Sequence, residues 1–257
     1  MSFGAIAEDY DRLRPGPPEA AVDWLVPAGC QVAVDLGAGT GLLTRALAHK
    51  VRQVVAVEPD PRMAAVLQAR SAEGHFDGIR VARSRGENIP LPDASADGVF
   101  VSSAWHWMDP ERAPREIARV LRDGGRLGVI WISRDRGADC LREVDLLRRA
   151  GRPAGADGQG EQRPPHRRRE VTLPDDLFGS VEAASFTFTR RMTIDDVVGL
   201  LATYSGTITA TPQEREARLA EARTALAQRF PGAAEVDVPM RSQCFRADRR
   251  ERGAATP

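Results

Sequence analysis

Three glycines at alternate positions, Gly37, Gly39 and Gly41, follow the apolar run Val34-Asp35-Leu36. Such a run reads as a buried strand. Glycines at its end let the chain turn tightly, and they let a ligand approach main-chain N–H groups that a Cβ would shield. Glu58 closes the next strand-like run, where a carboxylate can accept from the two hydroxyls of a ribose. Capping the helix that starts at Asp60-Pro61 is the other use open to it, but its strand-end position favours the ribose. Together these residues predict an adenosine-containing cofactor.

The glycine spacing decides between cofactors. A dinucleotide site has G-x-G-x-x-G, whereas this turn is G-x-G-x-G, with Leu42 where the third glycine would fall. No Gly-Lys-Ser/Thr follows, so a P-loop is excluded. S-adenosyl-L-methionine has no pyrophosphate to cradle. Its methionine part can lie along the glycine turn, with Asp35 meeting the ammonium.

A second group of residues suits the acceptor side. His106 follows the fourth strand, at the carboxyl end of the sheet where open α/β folds place ligands. Imidazole titrates near neutrality, so His106 is the candidate general base for a hydroxyl or acidic carbon nucleophile. A structural histidine held between Trp105 and Trp107 is the alternative. These two tryptophans can wall an acceptor pocket, since side chains two apart on an extended or turning segment point roughly the same way; core packing is the alternative, and one of the two is expected to be core. Trp131 can floor the pocket and Tyr204 close it from above. His49 reads as a helix C-terminal cap, and His75 and His166 fall in polar loops. No metal-ligand spacing is present.

These residues need a scaffold, and the pattern supplies one. Strand-like and helix-like runs alternate from residue 18 to 132, which predicts a parallel α/β sheet. Strands are expected at 31–36, 53–57, 79–82, 98–102 and 126–132. Helices are expected at 18–26, 41–50 and from Pro61 to about Ser71. A further helix should begin at Pro114 and end at Leu121, with Gly124-Gly125 closing it. Residues 139–150 read as a helix with Leu141, Val144 and Leu147 inward, and 151–170 as a mobile loop poor in large apolar residues. The Arg167-Arg168-Arg169 run in it reads as solvated, with no aromatics interleaved for base stacking. A returning strand at 181–189, helices at 193–204 and 212–230, and an edge strand at 241–247 complete the chain. The expected partition is a core at 1–132 with an N-terminal lid segment, a cap and substrate region at 133–211, and 212–257 finishing the core sheet.

Composition narrows the setting. In 257 residues, 36 Lys and Arg balance 36 Asp and Glu, so no basic footprint points to a nucleic acid. Cys30, Cys140 and Cys244 are scattered and odd in number, as reduced thiols of a cytoplasmic protein would be. No signal-like leader and no apolar run of membrane-spanning length occur.

Five segments in order resemble a known family. They are Asp35 to Gly41, Val55-Ala56-Val57-Glu58-Pro59-Asp60, Glu87-Asn88-Ile89-Pro90-Leu91-Pro92-Asp93, Asp97 to Trp107, and Arg119-Val120-Leu121-Arg122-Asp123-Gly124-Gly125. The chain is similar to class I S-adenosylmethionine-dependent methyltransferases of the methyltransferase type 11 kind, nearly end to end. The resemblance implies a Rossmann-like, seven-stranded, mostly parallel sheet with helices on both faces and a small helical cap. It implies that Gly37 and Gly39 line the methionine part, that Glu58 holds the ribose, and that Pro59 and Met63 flank the adenine. Met63 reads equally well as core. Glu87 would lie near the adenine amino group, and Ser102 and Ser103 would present backbone beside the methionine head. Tyr10 and Arg14, in Tyr10-Asp11-Arg12-Leu13-Arg14-Pro15, match a leader that folds over the cofactor. Gly86 departs from the family's commoner alanine. The implied reaction is in-line methyl transfer to an O, N or C atom of a small molecule. A cyclase or isomerase that binds the cofactor without transferring methyl is the alternative on the same fold.

Overall fold

The computed structural model describes residues 3–135, 137, 170–208 and 210–251. The expected helix at 139–150, the loop at 151–169, Cys140, His166 and the arginine run lie outside them. Among the described residues, seven strands form one mixed, mostly parallel sheet. They are β1 (Val32–Leu36), β2 (Gln53–Val57), β3 (Ile79–Ala82), β4 (Ala96–Ser102), β5 (Leu121–Arg134), β6 (Glu182–Thr193) and β7 (Glu235–Asp248). Their order is β3-β2-β1-β4-β5-β7-β6, and the pairs from β3 through β5 are parallel. The helices are α1 (Ala7–Leu13), α2 (Glu19–Leu25), α3 (Leu42–Ala48), α4 (Pro61–Glu73), α5 (Arg112–Val120), α6 (Ile194–Ala202), α7 (Ser205–Ile208) and α8 (Pro212–Arg229).

The chain divides into two compact units. One comprises Met1–Arg14, Ser133–Glu170 and Thr187–Arg241; the other comprises Pro15–Ile132, Val171–Phe186 and Ser242–Pro257. This division differs from the partition at 132 and 211. The leader packs with the later helices, and the ends of β6 and β7 fall in different units.

In the larger unit, β1, β2 and β4 are buried along nearly their whole length. Phe100 sits at the centre, fully buried. A Cβ on Gly98 would lie 2.6 Å from its ring, and one on Gly128, its register partner on β5, 2.7 Å away. Both positions are glycine because the ring occupies the space a side chain would need. Asp97 locks β1 beside β4, accepting from the N–H groups of Gln31 at 2.9 Å and Val32 at 2.8 Å. Burial opposes its charge, but those amides and the Arg122 guanidinium outweigh it and hold Asp97 below the usual carboxylate range.

Two expectations around α5 are corrected. The helix starts at Arg112, ahead of Pro114, because Asp109 Oδ1 accepts from the N–H of Glu111 and of Arg112 and so caps an earlier turn. Proline in the first turn forfeits no hydrogen bond. Gly124-Gly125 do not close the helix. Leu121 is already extended and paired with Ala96, so the glycines sit inside β5, where the register shifts between the Ala96 and Gly98 pairings. Gly124, at φ +72°, forms the irregularity, and Arg249 ties it down by accepting from the Gly124 N–H and donating to the Gly125 carbonyl. Arg119 organises the loop before β4, donating to the carbonyls of Ile89 and Leu91 at 2.9 Å each and pairing with Glu116 and Asp93.

The smaller unit joins the leader to α6. Leu13 is 2% exposed and fills the space over Gly199, where a Cβ would come within 2.8 Å of it. Arg12 pairs with Asp196, and Arg190 donates to the carbonyls of Arg12 and Leu13 at the end of α1. Thr211 and Glu214 form a reciprocal cap at the start of α8. Strand β7 begins at Glu235, six residues before its expected start. Val236, Val238 and Met240 are buried at alternate positions, but Pro239 lies between them and masks the strand signal in sequence.

Candidate active site

The glycine turn joins β1 to α3. It is fastened to β2, since the N–H groups of Gly37 and Ala38 both donate to the Val57 carbonyl, at 2.9 and 3.1 Å. Gly37, Gly39 and Gly41 have φ of +71°, +57° and +87°, the left-handed region where a side chain is strained. The surroundings of the first two differ. A Cβ on Gly37 would lie 2.6 Å from that of Ala104, whereas one on Gly39 meets nothing within 4 Å. Gly37 is glycine for packing. Gly39 opens onto space that a ligand can fill.

Glu58 stands at the end of β2 and is 7% exposed. One carboxylate oxygen accepts from the Gly39 N–H and the other from the Asp60 N–H, both at 2.8 Å. Both sequence readings are therefore compatible: Glu58 braces the start of α4 and reaches the glycine turn. Burial pushes its pKa up, with the Asp60 and Gly39 amides working in the opposite direction. A carboxylate has about four lone-pair sites, so roughly two stay available for hydroxyls.

Asp35 is fully buried, and its Oδ2 accepts from the hydroxyl of Thr44 on α3. Its Oδ1 and the Oγ1 of Thr40, at the two ends of the turn, have no partner among the described residues. Unmet polar atoms of this kind are taken up by bound water or ligand. Burial pushes the Asp35 pKa up to about 7, against the Thr44 hydrogen bond and helped by the charge of Glu58. Between the ordinary value of 3.8 and about 7 the folded chain holds a proton that the unfolded chain has released. Stability from this group is therefore full at low pH and falls as pH rises through that window. In Asp35→Asn the dependence disappears, so the variant's melting temperature should gain on the wild type between about pH 4 and about pH 7.5. A gap that stays constant over that range excludes this origin.

Pro59 is exposed, and Met63 is 5% exposed on the inner face of α4, its core reading. Glu87 Oε1 accepts from the Asp109 N–H at 2.8 Å. Ser102 ends β4 opposite Ile130, and Ser103, at φ +55°, donates its N–H to the Ile130 carbonyl at 2.8 Å. That left-handed serine turns the chain into a single 3₁₀ turn, Trp105–Trp107. In such a turn successive side chains diverge by about 120°. Trp105 packs on the core while Trp107 is 64% exposed, which corrects the expectation that the two point the same way. His106 is exposed, its ring 4.9 Å from that of Trp107. Trp131 is corrected too: it is 5% exposed, edge-on to Phe245 at 5.8 Å, a core residue and not a pocket floor.

Tyr10, Arg14 and Tyr204 come together in the smaller unit. The Arg14 guanidinium lies 4.3 Å from the Tyr204 ring centre and 5.1 Å from that of Tyr10, and donates to the side chain and carbonyl of Thr203 at 3.0 Å each. Sequence reasoning missed Thr44, Ala104 and Met108. Thr44 alone carried a signal, a polar residue on a helix face otherwise lined by Leu43 and Leu47.

Among known proteins, a family model described as a methyltransferase domain matches residues 34–129. An uncharacterized methyltransferase of Mycobacterium tuberculosis is 40% identical over 251 residues, covering 96% of this chain and 95% of that protein. An uncharacterized methyltransferase-like protein of Schizosaccharomyces pombe is 27% identical over 223 residues, 84% of this chain and 82% of the other. A solved structure from Anaeromyxobacter dehalogenans, assigned as a type II methyltransferase, superposes with a TM-score of 0.68 at 26% identity, over 92% of this chain and 97% of its own.

Proposed function

The chain belongs to this methyltransferase family, and on that premise we propose that its acceptor is a small molecule attacked through an O, N or C nucleophile. The cofactor is S-adenosyl-L-methionine, which supplies an activated sulfonium methyl. The observation that carries the reading is the left-handed glycine turn, open at Gly39 and joined to Glu58 by a main-chain hydrogen bond. The unmet Asp35 Oδ1 and Thr40 Oγ1 also fit a ligand at this turn.

In this reading Glu58 takes the ribose hydroxyls on its remaining lone pairs. Gly37 and Gly39 lie along the methionine part, Asp35 faces the ammonium, and Ser102 and Ser103 border the methionine head. Pro59 and Glu87 lie on the adenine side. Transfer from an activated methyl asks mainly that the nucleophile be held in line with the leaving sulfur. Trp107, the exposed ring of the pair, offers an aromatic surface for that purpose. His106, exposed beside Trp107, takes the proton of a hydroxyl or acidic carbon acceptor. Balanced charge supports a small acceptor over a nucleic acid. Among the described residues no helix is long and apolar enough to cross a membrane. Cys30 and Cys244 are buried free thiols, pushed up to about 11 and about 12 by burial. Reduced thiols support a cytoplasmic location for the enzyme.

The test is titration calorimetry of the purified chain with S-adenosylmethionine, S-adenosylhomocysteine and NAD, followed by acceptor screening with labelled methyl. Binding of the two sulfur compounds and formation of S-adenosylhomocysteine with a small acceptor is the expected result. Turnover without S-adenosylhomocysteine points instead to the cyclase or isomerase reading, and binding of NAD alone defeats both.

A further inference from the structure

Met108 follows the Trp105–Trp107 turn, and its side chain lies between two glycines that the sequence separates widely. A Cβ on Gly86 would come within 3.0 Å of its Sδ and 3.2 Å of its Cγ; one on Gly37 would lie 3.5 Å from its Cε. Gly37 belongs to the turn after β1, and Gly86 to the loop after β3. The same short segment is held at both ends. Ala104 packs on Gly37, and the Asp109 N–H donates to Glu87, the neighbour of Gly86. Ser103, left-handed, and the 3₁₀ turn aim the segment into this slot.

We propose that Met108 is a positioning residue that sets the acceptor-side turn Trp105–Trp107 against the cofactor turn, with Gly86 a glycine because the thioether needs the space of a Cβ. This rests on the reading of the Gly37–Gly41 turn as the cofactor site. A flexible thioether adapts to an irregular gap, and a leucine of nearly equal volume can replace it. Shortening it leaves a void into which residues 104–109 can relax, and the backbone contacts at Gly37 and Glu87 shift with them. Gly86 is not among the glycines with positive φ, so its backbone accepts alanine. What resists Gly86→Ala is the Met108 side chain, which has to move by a few tenths of an ångström.

A double-mutant cycle in cofactor binding tests this. S-adenosylhomocysteine is titrated into wild type, Gly86→Ala, Met108→Ala, Met108→Leu and the Gly86→Ala/Met108→Ala double variant. Tryptophan fluorescence of Trp105 and Trp107, in a background where Trp24 and Trp131 are replaced by Phe, and melting temperatures are recorded alongside. Each alanine variant is expected to bind about tenfold more weakly, and Met108→Leu to stay within about threefold of wild type. The double variant should bind no worse than Gly86→Ala alone, because the new Cβ enters the space that the thioether left. A merely structural loss would lower the melting temperature and leave the affinity of the folded protein for S-adenosylhomocysteine unchanged. Where Met108→Ala does not fold, Met108→Val takes its place in the cycle. Single variants that bind within about twofold of wild type, or a double variant showing the full product of both losses (about a hundredfold), overturn the proposal. A wild type that binds no S-adenosylhomocysteine removes the cofactor reading and this proposal with it. Wild-type binding with unmoved variants removes only this proposal.

Discussion

Gly39→Arg abolishes binding of S-adenosylmethionine and S-adenosylhomocysteine while leaving a folded protein. Two local facts separate the effects. A Cβ at Gly39 meets nothing within 4 Å, so the new side chain leaves the backbone without a clash. The left-handed backbone, at φ +57°, costs a non-glycine residue about 1–2 kcal/mol, which a domain of this size can absorb. The arginine then occupies the space through which a ligand approaches the turn. Gly37→Ala is the contrasting control. It adds to the same strain a Cβ 2.6 Å from that of Ala104, and should lose stability as well as binding. Calorimetry for binding and thermal melts for folding separate the two. If Gly39→Arg keeps S-adenosylhomocysteine affinity within about tenfold, the cofactor does not lie on this turn.

Glu58→Gln is the second large effect, and it reaches both binding and stability. The two side chains have nearly the same shape, but both oxygens of Glu58 accept from main-chain N–H groups, of Gly39 and of Asp60. An amide must set its NH₂ against one of those donors whichever way it turns. Leaving a buried donor unmatched costs about 1–3 kcal/mol in stability. The charge that would strengthen bonds from ribose hydroxyls is lost as well, so affinity should fall by about 10- to 100-fold. The discriminating measurement is a comparison of adenosine with 2′,3′-dideoxyadenosine as competitors. Wild type should prefer adenosine, and Glu58→Gln should lose most of that preference. An unchanged preference would remove Glu58 from the ribose site.

The glycine turn was legible in the chain because strand, turn and helix start are local there. Val34 to Gly41 is a strand, a turn and a helix start in sequence, and alternate glycines directly after a buried run suit a tight turn open to a ligand. The strands at 53–57 and 79–82 were readable to the residue for a related reason: each is short, apolar and bounded by turn residues. The segment after β4 was read less well. Trp105 and Trp107 follow a left-handed serine, and only the backbone angle at Ser103 turns an apparent extended segment into a 3₁₀ turn that parts the two rings. Trp131 has the residue type of a pocket wall, but its packing on Phe245, more than a hundred residues away, makes it core.

The order of elements, the tight glycine turn with Glu58 at the end of the next strand, and the family all follow from the amino acids read in order. Each depends on residues close together in the chain. Which atoms remain available was fixed only when distant segments met. The fold committed one Asp35 oxygen to Thr44, shared Glu58 between two amides, drew Gly124-Gly125 into a strand, and placed Met108 between Gly37 and Gly86. Burial, hydrogen-bond partners and close packing arise between segments far apart in sequence, and no local pattern encodes them.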